Sequence, residues 1–163
     1  MNWKEISWQQ ILLDIAQNKD KSDAPTALPT QEQMIKEMHS YIDRINGNLH
    51  EGTQNLFAEN FTLEDPVGTK ILSIAKEYHA DFMEEKGVKF TPIKAELVSP
   101  VSTTYSNQAT MAFKLYMRVG EQDITIDIID VMTFNEAGKI VEVKAYWGRD
   151  NVTVIDKGGD LNN

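Results

Sequence analysis

From Ala109 to Phe134 the chain alternates apolar and polar residues along two long runs joined by a short polar turn, the pattern of two paired β-strands. Ala109, Met111, Phe113, Leu115, Met117 and Val119 share one parity, Gly120-Glu121-Gln122 makes the turn, and Asp123 to Phe134 runs back. Successive side chains on a strand point to opposite faces, so a sheet built on this hairpin has an apolar side that another layer must cover. The same period begins after Gly87 with Ile93, Ala95 and Leu97, and Asn135-Glu136-Ala137-Gly138 turns the chain into a last strand from Lys139 to Trp147.

The covering layer is written ahead of the strands. Met34, Met38, Tyr41, Ile42 and Ile45 repeat on one helical face, and Asn46-Gly47-Asn48 ends that helix with residues that tolerate left-handed backbone. A second short helix is expected from about His50 to Ala58, then a brief strand over Phe61, Leu63 and Asp65 stopped by Pro66. Ile71, Ile74, Ala75, Tyr78 and Phe82 have the spacing of the inner stripe of a third helix. Helices followed by a meander of long antiparallel strands imply an α+β architecture with the sheet wrapped against the helices.

At 163 residues the chain has the length of one ordinary domain, able to bury most of its apolar surface without crosslinks. Ahead of it, Trp8, Ile11, Leu12 and Ile15 recur at helical spacing. Asn18 to Thr30, with Pro25 and Pro29 among Lys, Asp, Ser and Ala, has the composition of a linker that cannot bury enough surface to order itself. The expected organisation is a helix-and-linker extension over 1–30, a folded domain over 31–155 and a polar tail over 156–163. The extension up to about Leu28 is expected to be dispensable for folding.

The absence of cysteine excludes disulfides, thiolate metal sites and a cysteine nucleophile, and it fits the reducing cytoplasm. Ile11-Leu12-Leu13 is cut by Asp14 and lacks a basic leader, so neither a signal peptide nor a membrane span is expected. A net charge of −9 without a Lys/Arg cluster disfavours nucleic acid and anionic membrane as partners. His39, His50 and His79 are scattered without ligand spacing, and no metal site is expected.

Three ionisable groups stand on the wrong side of their elements. Asp130 is the one polar member of the row Ile124, Ile126, Ile128, Met132 and Phe134, whereas Asp127, Thr125 and Thr133 take the other parity. A carboxylate buried without a cation costs several kcal/mol, so Asp130 is expected to be protonated at neutral pH. Asp65 shares its face with Phe61 and Leu63, and Tyr41 lies between Met38 and Ile45 on its helix, with no basic residue read on these faces. Singly, each is commonly a cap, a bulge or a core residue with its polar tip at the surface. Jointly, one base and two neutral hydroxyl donors in an apolar pocket suit proton abstraction beside a carbonyl, with the donors stabilising the enolate oxygen.

These residues match a family pattern. Tyr41-Ile42-Asp43, Leu56-Phe57-Ala58-Glu59-Asn60, Glu64-Asp65-Pro66-Val67-Gly68, Ile128 through Ile140 and Ala145-Tyr146-Trp147 resemble bacterial ketosteroid isomerases of the wider NTF2-like superfamily, over roughly Glu32 to Val154. The resemblance implies a cone in which three N-terminal helices pack on a curved, mixed, mostly antiparallel sheet, as well as a homodimer and no cofactor. It makes Asp65 the base that moves a proton from C4 to C6 of a 3-oxo-Δ5-steroid, and Tyr41 with protonated Asp130 the oxyanion hole. On the same resemblance Phe57, Phe82, Met111, Phe113 and Trp147 line an apolar substrate pocket. Phe57 and Phe82 stand where one branch of the family has further tyrosines around the catalytic one. Because this superfamily fold also hosts cyclases, dehydratases and non-enzymatic binding modules, those readings stay open beside the isomerase.

Overall fold

The computed structural model describes residues 5–17, 29–75 and 83–155. Within them, three helices, α1 (Trp8–Ala16), α2 (Gln31–Ile45) and α3 (Glu51–Gln54), are followed by strands β1 (Phe57–Glu64), β2 (Leu72–Ala75), β3 (Glu84–Glu85), β4 (Val88–Leu97), β5 (Ser102–Thr103), β6 (Gln108–Val119), β7 (Gln122–Phe134), β8 (Ile140–Tyr146) and β9 (Val152–Val154). The strands form one curled sheet in the order β2-β1-β8-β7-β6-β4-β3, with β5 added beside β6 and β9 beside β7. Every pairing is antiparallel except β1 with β8, so the sheet is mixed and mostly antiparallel as expected. The hairpin read from the alternation is the longest ladder, running from Gln108↔Thr133 to Val119↔Gln122.

The core lies between α2 and the inner face of the sheet. Met34 and Met38 of the α2 stripe are fully buried against Met111, Phe113, Ile128, Met132, Phe134 and their neighbours. The helix begins in a capping box, in which Thr30 accepts from the Gln33 N–H and the Gln33 side chain accepts from the Thr30 N–H, so two orphan donors of the first turn are satisfied. Its other end is tied to the sheet. Asn46 accepts from Ala95 N–H at 2.7 Å and donates to Ala95 C=O at 3.0 Å, taking the place of a neighbouring strand along β4.

Two expectations need correction. The second helix stops at Gln54, because Phe57 already pairs with Ile140 of β8 and the Ile140 N–H donates to Leu56 C=O at 2.8 Å. The third helix does not start at Ile71: Leu72–Ala75 is a strand antiparallel to β1, from Leu63↔Leu72 to Asn60↔Ala75. The spacing of Ile71, Ile74 and Ala75 suits a helix, but the backbone groups on the free edge of β1 need partners, and this segment supplies them. Ile74 is buried while Ile71 is left exposed. The rest of the expected helix, with Tyr78 and Phe82, lies outside the described residues, as do most of the linker and the polar tail.

Helix α1 forms where the periodicity placed it, capped by Ser7, whose hydroxyl accepts from the Gln10 N–H. None of its residues is buried, and Trp8, Leu12 and Ile15 are exposed. No helix among the described residues is long and apolar enough to cross a membrane.

The Asn46 clamp makes a clear prediction. Ala95 is buried, so Asn46→Ala strands both of its backbone groups and should lower stability by about 2 kcal/mol, read as a fall in the urea midpoint at unchanged m-value. An unchanged midpoint would mean that water replaces both bonds.

Candidate active site

One row of side chains crosses the inner face of the sheet. Met111 of β6 pairs with Asp130 of β7, and Asp130 pairs with Ala145 of β8. On the far side of β8, Leu63 and Glu64 of β1 run parallel to Val143 and Lys144. Asp65, one residue on, therefore falls in the row beside Ala145, and the loop that follows it is fastened there by the Val67 N–H donating to Ala145 C=O at 2.8 Å. A buried alanine separates the two aspartates in this row.

The alternation that put Asp130 on the apolar parity is obeyed: the residue is 2 % exposed. Burial holds its carboxyl well above the ordinary carboxylate range, and the negative charge of Asp65 pushes in the same direction. Both causes favour the protonated form of Asp130. Asp65 sits at the open end of the sheet, exposed as a residue, yet its carboxyl is crowded enough that burial raises its pKa too. Against that, the Trp147 indole N–H donates to Asp65 Oδ1 at 2.6 Å and favours the ionised form. The two carboxyls thus lie in one field with different surroundings, one sealed and one open with an indole donor.

Tyr41 looks onto this row from α2. It is half-buried, packs on the core, and meets the Phe57 ring edge to face at 6.2 Å between centroids. Burial first, then the charges of Asp130 and Asp65, drive its phenol pKa upward, so it is a neutral O–H donor. The three residues singled out in the sequence are therefore electrostatic neighbours.

The expected pocket-lining residues divide. Phe57 is buried and stacked on Phe61 at 4.3 Å, while Met111 and Phe113 belong to the core, Met111 directly opposite Asp130. Trp147 is half-buried and engaged with Asp65. Phe82 lies outside the described residues. A groove of about 460 Å³ is bordered by Val98, Ala112, Asp127, Ile129, Tyr146 and Asn151 together with Phe113, Ile128 and Trp147, so Phe113 and Trp147 of the expected lining face it, while none of the three ionisable groups does.

One contact and one residue escaped the sequence reading. The Trp147–Asp65 bond joins residues 82 apart, and no local pattern signals it. Arg44 corrects the expectation that no basic residue lies near these groups: three residues on from Tyr41, it shares that helix face, and its charge acts on the Tyr41 hydroxyl. Its spacing was the available signal. Among the histidines, exposed His50 caps α3 by accepting from the Gly52 N–H and pairs with Asp43 at 3.0 Å. No cluster of three or more His, Asp or Glu among the described residues is arranged to hold a metal ion.

A helix laid on one side of a curled, mixed sheet, with ionisable groups gathered on the inner face, is the NTF2-like α+β cone. The solved structure of SalBIII, described as an epoxide hydrolase/cyclase-like enzyme in pyran ring formation in polyether salinomycin, shares that fold with a TM-score of 0.58 at 21% identity, covering 77% of this chain and 98% of its own. In sequence, the chain is similar to Steroid Delta-isomerase of Nocardioides simplex, 27% identical over 114 residues that make up 70% of this chain and 89% of that protein. Both relatives are enzymes, one an isomerase and one cyclase-like. No family model matches the chain.

The protonated state of Asp130 can be tested through stability. Once unfolded, the residue titrates near 3.8, so above that pH the unfolded chain sheds a proton that the folded protein keeps, and stability falls as pH rises toward the folded pKa. Asp130→Asn has no proton to shed and escapes that decline. Its urea midpoint relative to wild type should therefore climb between about pH 4 and about pH 7. A difference that stays constant with pH would mean that Asp130 ionises as an ordinary aspartate.

Proposed function

We propose that this protein is an isomerase that moves a double bond into conjugation with a ketone in an apolar, steroid-like substrate, converting a 3-oxo-Δ5-steroid to the Δ4 isomer. The observation that carries this reading is the row Asp65, Ala145, Asp130 with Tyr41 above it. Asp65 is the base. Its carboxylate takes the proton from C4, the C–H electron pair moves into the C3–C4 bond, and the carbonyl π electrons move onto the oxygen to give a dienolate. Tyr41 and protonated Asp130 donate hydrogen bonds to that oxygen, whose charge grows as the proton leaves, so they bind the transition state better than the ketone. Asp65 then returns the same proton at C6, the electrons flow back, and the carbonyl reforms with the double bond now between C4 and C5.

The environments support these assignments. Asp65 is exposed enough to reach a substrate and to ionise, and the Trp147 N–H holds one of its oxygens so that the other is left to the proton. Asp130 is sealed among Met111, Ala145 and Met132, where a neutral acid is the stable species. The same pair, one carboxyl protonated and one free, also fits acid–base ring closure in a related cyclase, and an apolar fold of this kind can bind without turnover.

The chemistry is tested by mixing the protein with a Δ5-3-ketosteroid and following the absorbance of the conjugated enone. Asp65→Asn removes the only proposed proton carrier, so turnover should fall by at least about 10²–10⁴-fold while affinity for a phenolic enolate mimic is equal or better. Asp130→Asn, whose amide still donates, should be milder than Asp130→Ala. Near-normal turnover in Asp65→Asn would sink the mechanism. Tight phenol binding with no turnover in wild type would leave the binding module.

The homodimer that the resemblance implies is part of the proposal. Val98, Ile129 and Tyr146 are exposed around the groove, and nearby charges are already paired within the chain, Lys114 with Asp127 and Lys94 with Glu96. An apolar centre with a polar rim suits a second copy. Ile129→Glu should give a monomer by light scattering if that face is the interface, and an unaltered dimer would place the contact elsewhere.

A further inference from the structure

Among the charges acting on Tyr41, Arg44 alone is positive. It is half-buried on the last turn of α2, with Cζ 5.5 Å from the centroid of the Phe57 ring, which also meets the rings of Tyr41 and Phe61. Its Nη1 donates to Thr53 C=O at 3.3 Å, and Thr53 is itself fixed by the bond from its hydroxyl to His50 C=O. The nearest acid in sequence, Asp43, is taken by His50 at 3.0 Å. No carboxylate pairs with Arg44 among the described residues, so its charge is spent on an aromatic face, one carbonyl and the space around Tyr41.

We propose that Arg44 is a positioning residue for the oxyanion end of the site, a fixed cation that supports the Tyr41 hydroxyl from the side where the chain carries Phe57. The inference rests on the proposed function and extends it, because it supplies what a phenylalanine at that place cannot. Phe57 packs against Tyr41 but has no hydroxyl to donate to it. A phenol that must share its proton with a developing oxyanion gains from any group that makes it a stronger acid, either a hydrogen bond to its oxygen or a positive charge close by. Arg44 provides the second. Its pull on Tyr41 opposes the upward push of burial and of the two aspartates. The Phe57 ring also shields the guanidinium from water on one face, which preserves its field at short range.

The effect is specific to negative charge. A cation behind the oxyanion hole strengthens binding of an anionic oxygen and leaves binding of a neutral ketone almost unchanged. A packing role would weaken both together. The test uses the full chain as wild type, Arg44→Met and Arg44→Lys, with circular dichroism to confirm the fold. The probes are a series of substituted naphthols of graded acidity, whose bound ionisation state is read from absorbance, and a Δ4-3-ketosteroid as the neutral comparison. Arg44→Met should bind the acidic naphthols roughly tenfold more weakly, the order expected of one unpaired charge at intermediate dielectric, and shift the bound naphthol toward its neutral form. Ketosteroid affinity should stay within about twofold of wild type, a change that small being well under the tenfold step of 1.4 kcal/mol. Arg44→Lys keeps the charge and should recover most of the naphthol affinity.

Equal ionised fractions in wild type and Arg44→Met would overturn the inference and leave the proposed function standing. So would a parallel loss of naphthol and ketosteroid affinity that lysine fails to repair. If wild type itself binds every naphthol in the neutral form, the oxyanion hole is absent, and the proposed function falls together with the inference. Should Arg44→Met fail to fold, Arg44→Gln, which keeps a donor for Thr53 C=O without the charge, gives the same comparison.

Discussion

The register of β6 against β7 decides where every chemically interesting side chain in this molecule can go. Twelve residue pairs hold the two strands together, and because side chains alternate, a slip of one position would turn the entire inner row outward. Ile126, Ile128, Met132 and Phe134 make such a slip prohibitive, since all four are buried against α2 and the neighbouring strands. Asp130 is carried inward with them. Its burial follows from the apolar company it keeps, and the hydrophobic effect that stabilises those neighbours supplies the free energy that holds a carboxyl out of water.

That placement sets the electrostatics of the site. A carboxyl that is only 2 % exposed cannot keep a charge without a partner, while Asp65 stands at the rim in reach of water and of an indole donor. Both pKa values rise, for the same leading reason, but the two residues differ in what can relieve the strain. Their separation across Ala145 keeps the two carboxyls in one row on the sheet, neighbours in register and in each other's field. Chemistry that needs one proton held and one proton moved depends on such a division.

Much of this was legible before any coordinates. Strict alternation identified the hairpin from Ala109 to Phe134 and the inward parity of Asp130, because a two-residue period over a dozen residues admits few other structures. The helical stripe of Met34, Met38 and Tyr41 was equally plain. Leu72–Ala75 was not, since four residues of ambiguous spacing take their conformation from the strand edge they complete, and that edge is distant information. The same limit hid the Trp147–Asp65 bond, which exists only after β1 and β8 have come together. Arg44 was missed for a different reason. The apolar stripe of α2 was read as the whole inward face, although a long side chain at its margin can fold its stem over Phe57 and still bring charge to the tyrosine.

Helix α2 is held at both ends, and this has a mechanical meaning. At its start the capping box and the bond from Gln31 to Thr104 C=O at 3.3 Å fix the first turn; just past its end, Asn46 is bolted to Ala95. A beam pinned at two supports can neither slide along its axis nor roll, so the thermal motion left to Tyr41 is rotation about its own side-chain bonds. Asp65 directly follows β1 in an exposed turn, tied to the far end of β8 by the Val67 N–H bond to Ala145 C=O and by the Trp147 indole on its carboxyl. The two walls of the cone are therefore fastened differently, one through a helix pinned at its ends and one through an exposed turn. Breathing of the mouth should come almost wholly from the wall that carries the aspartate, with the phenol acting as the stationary reference against which a ligand is registered.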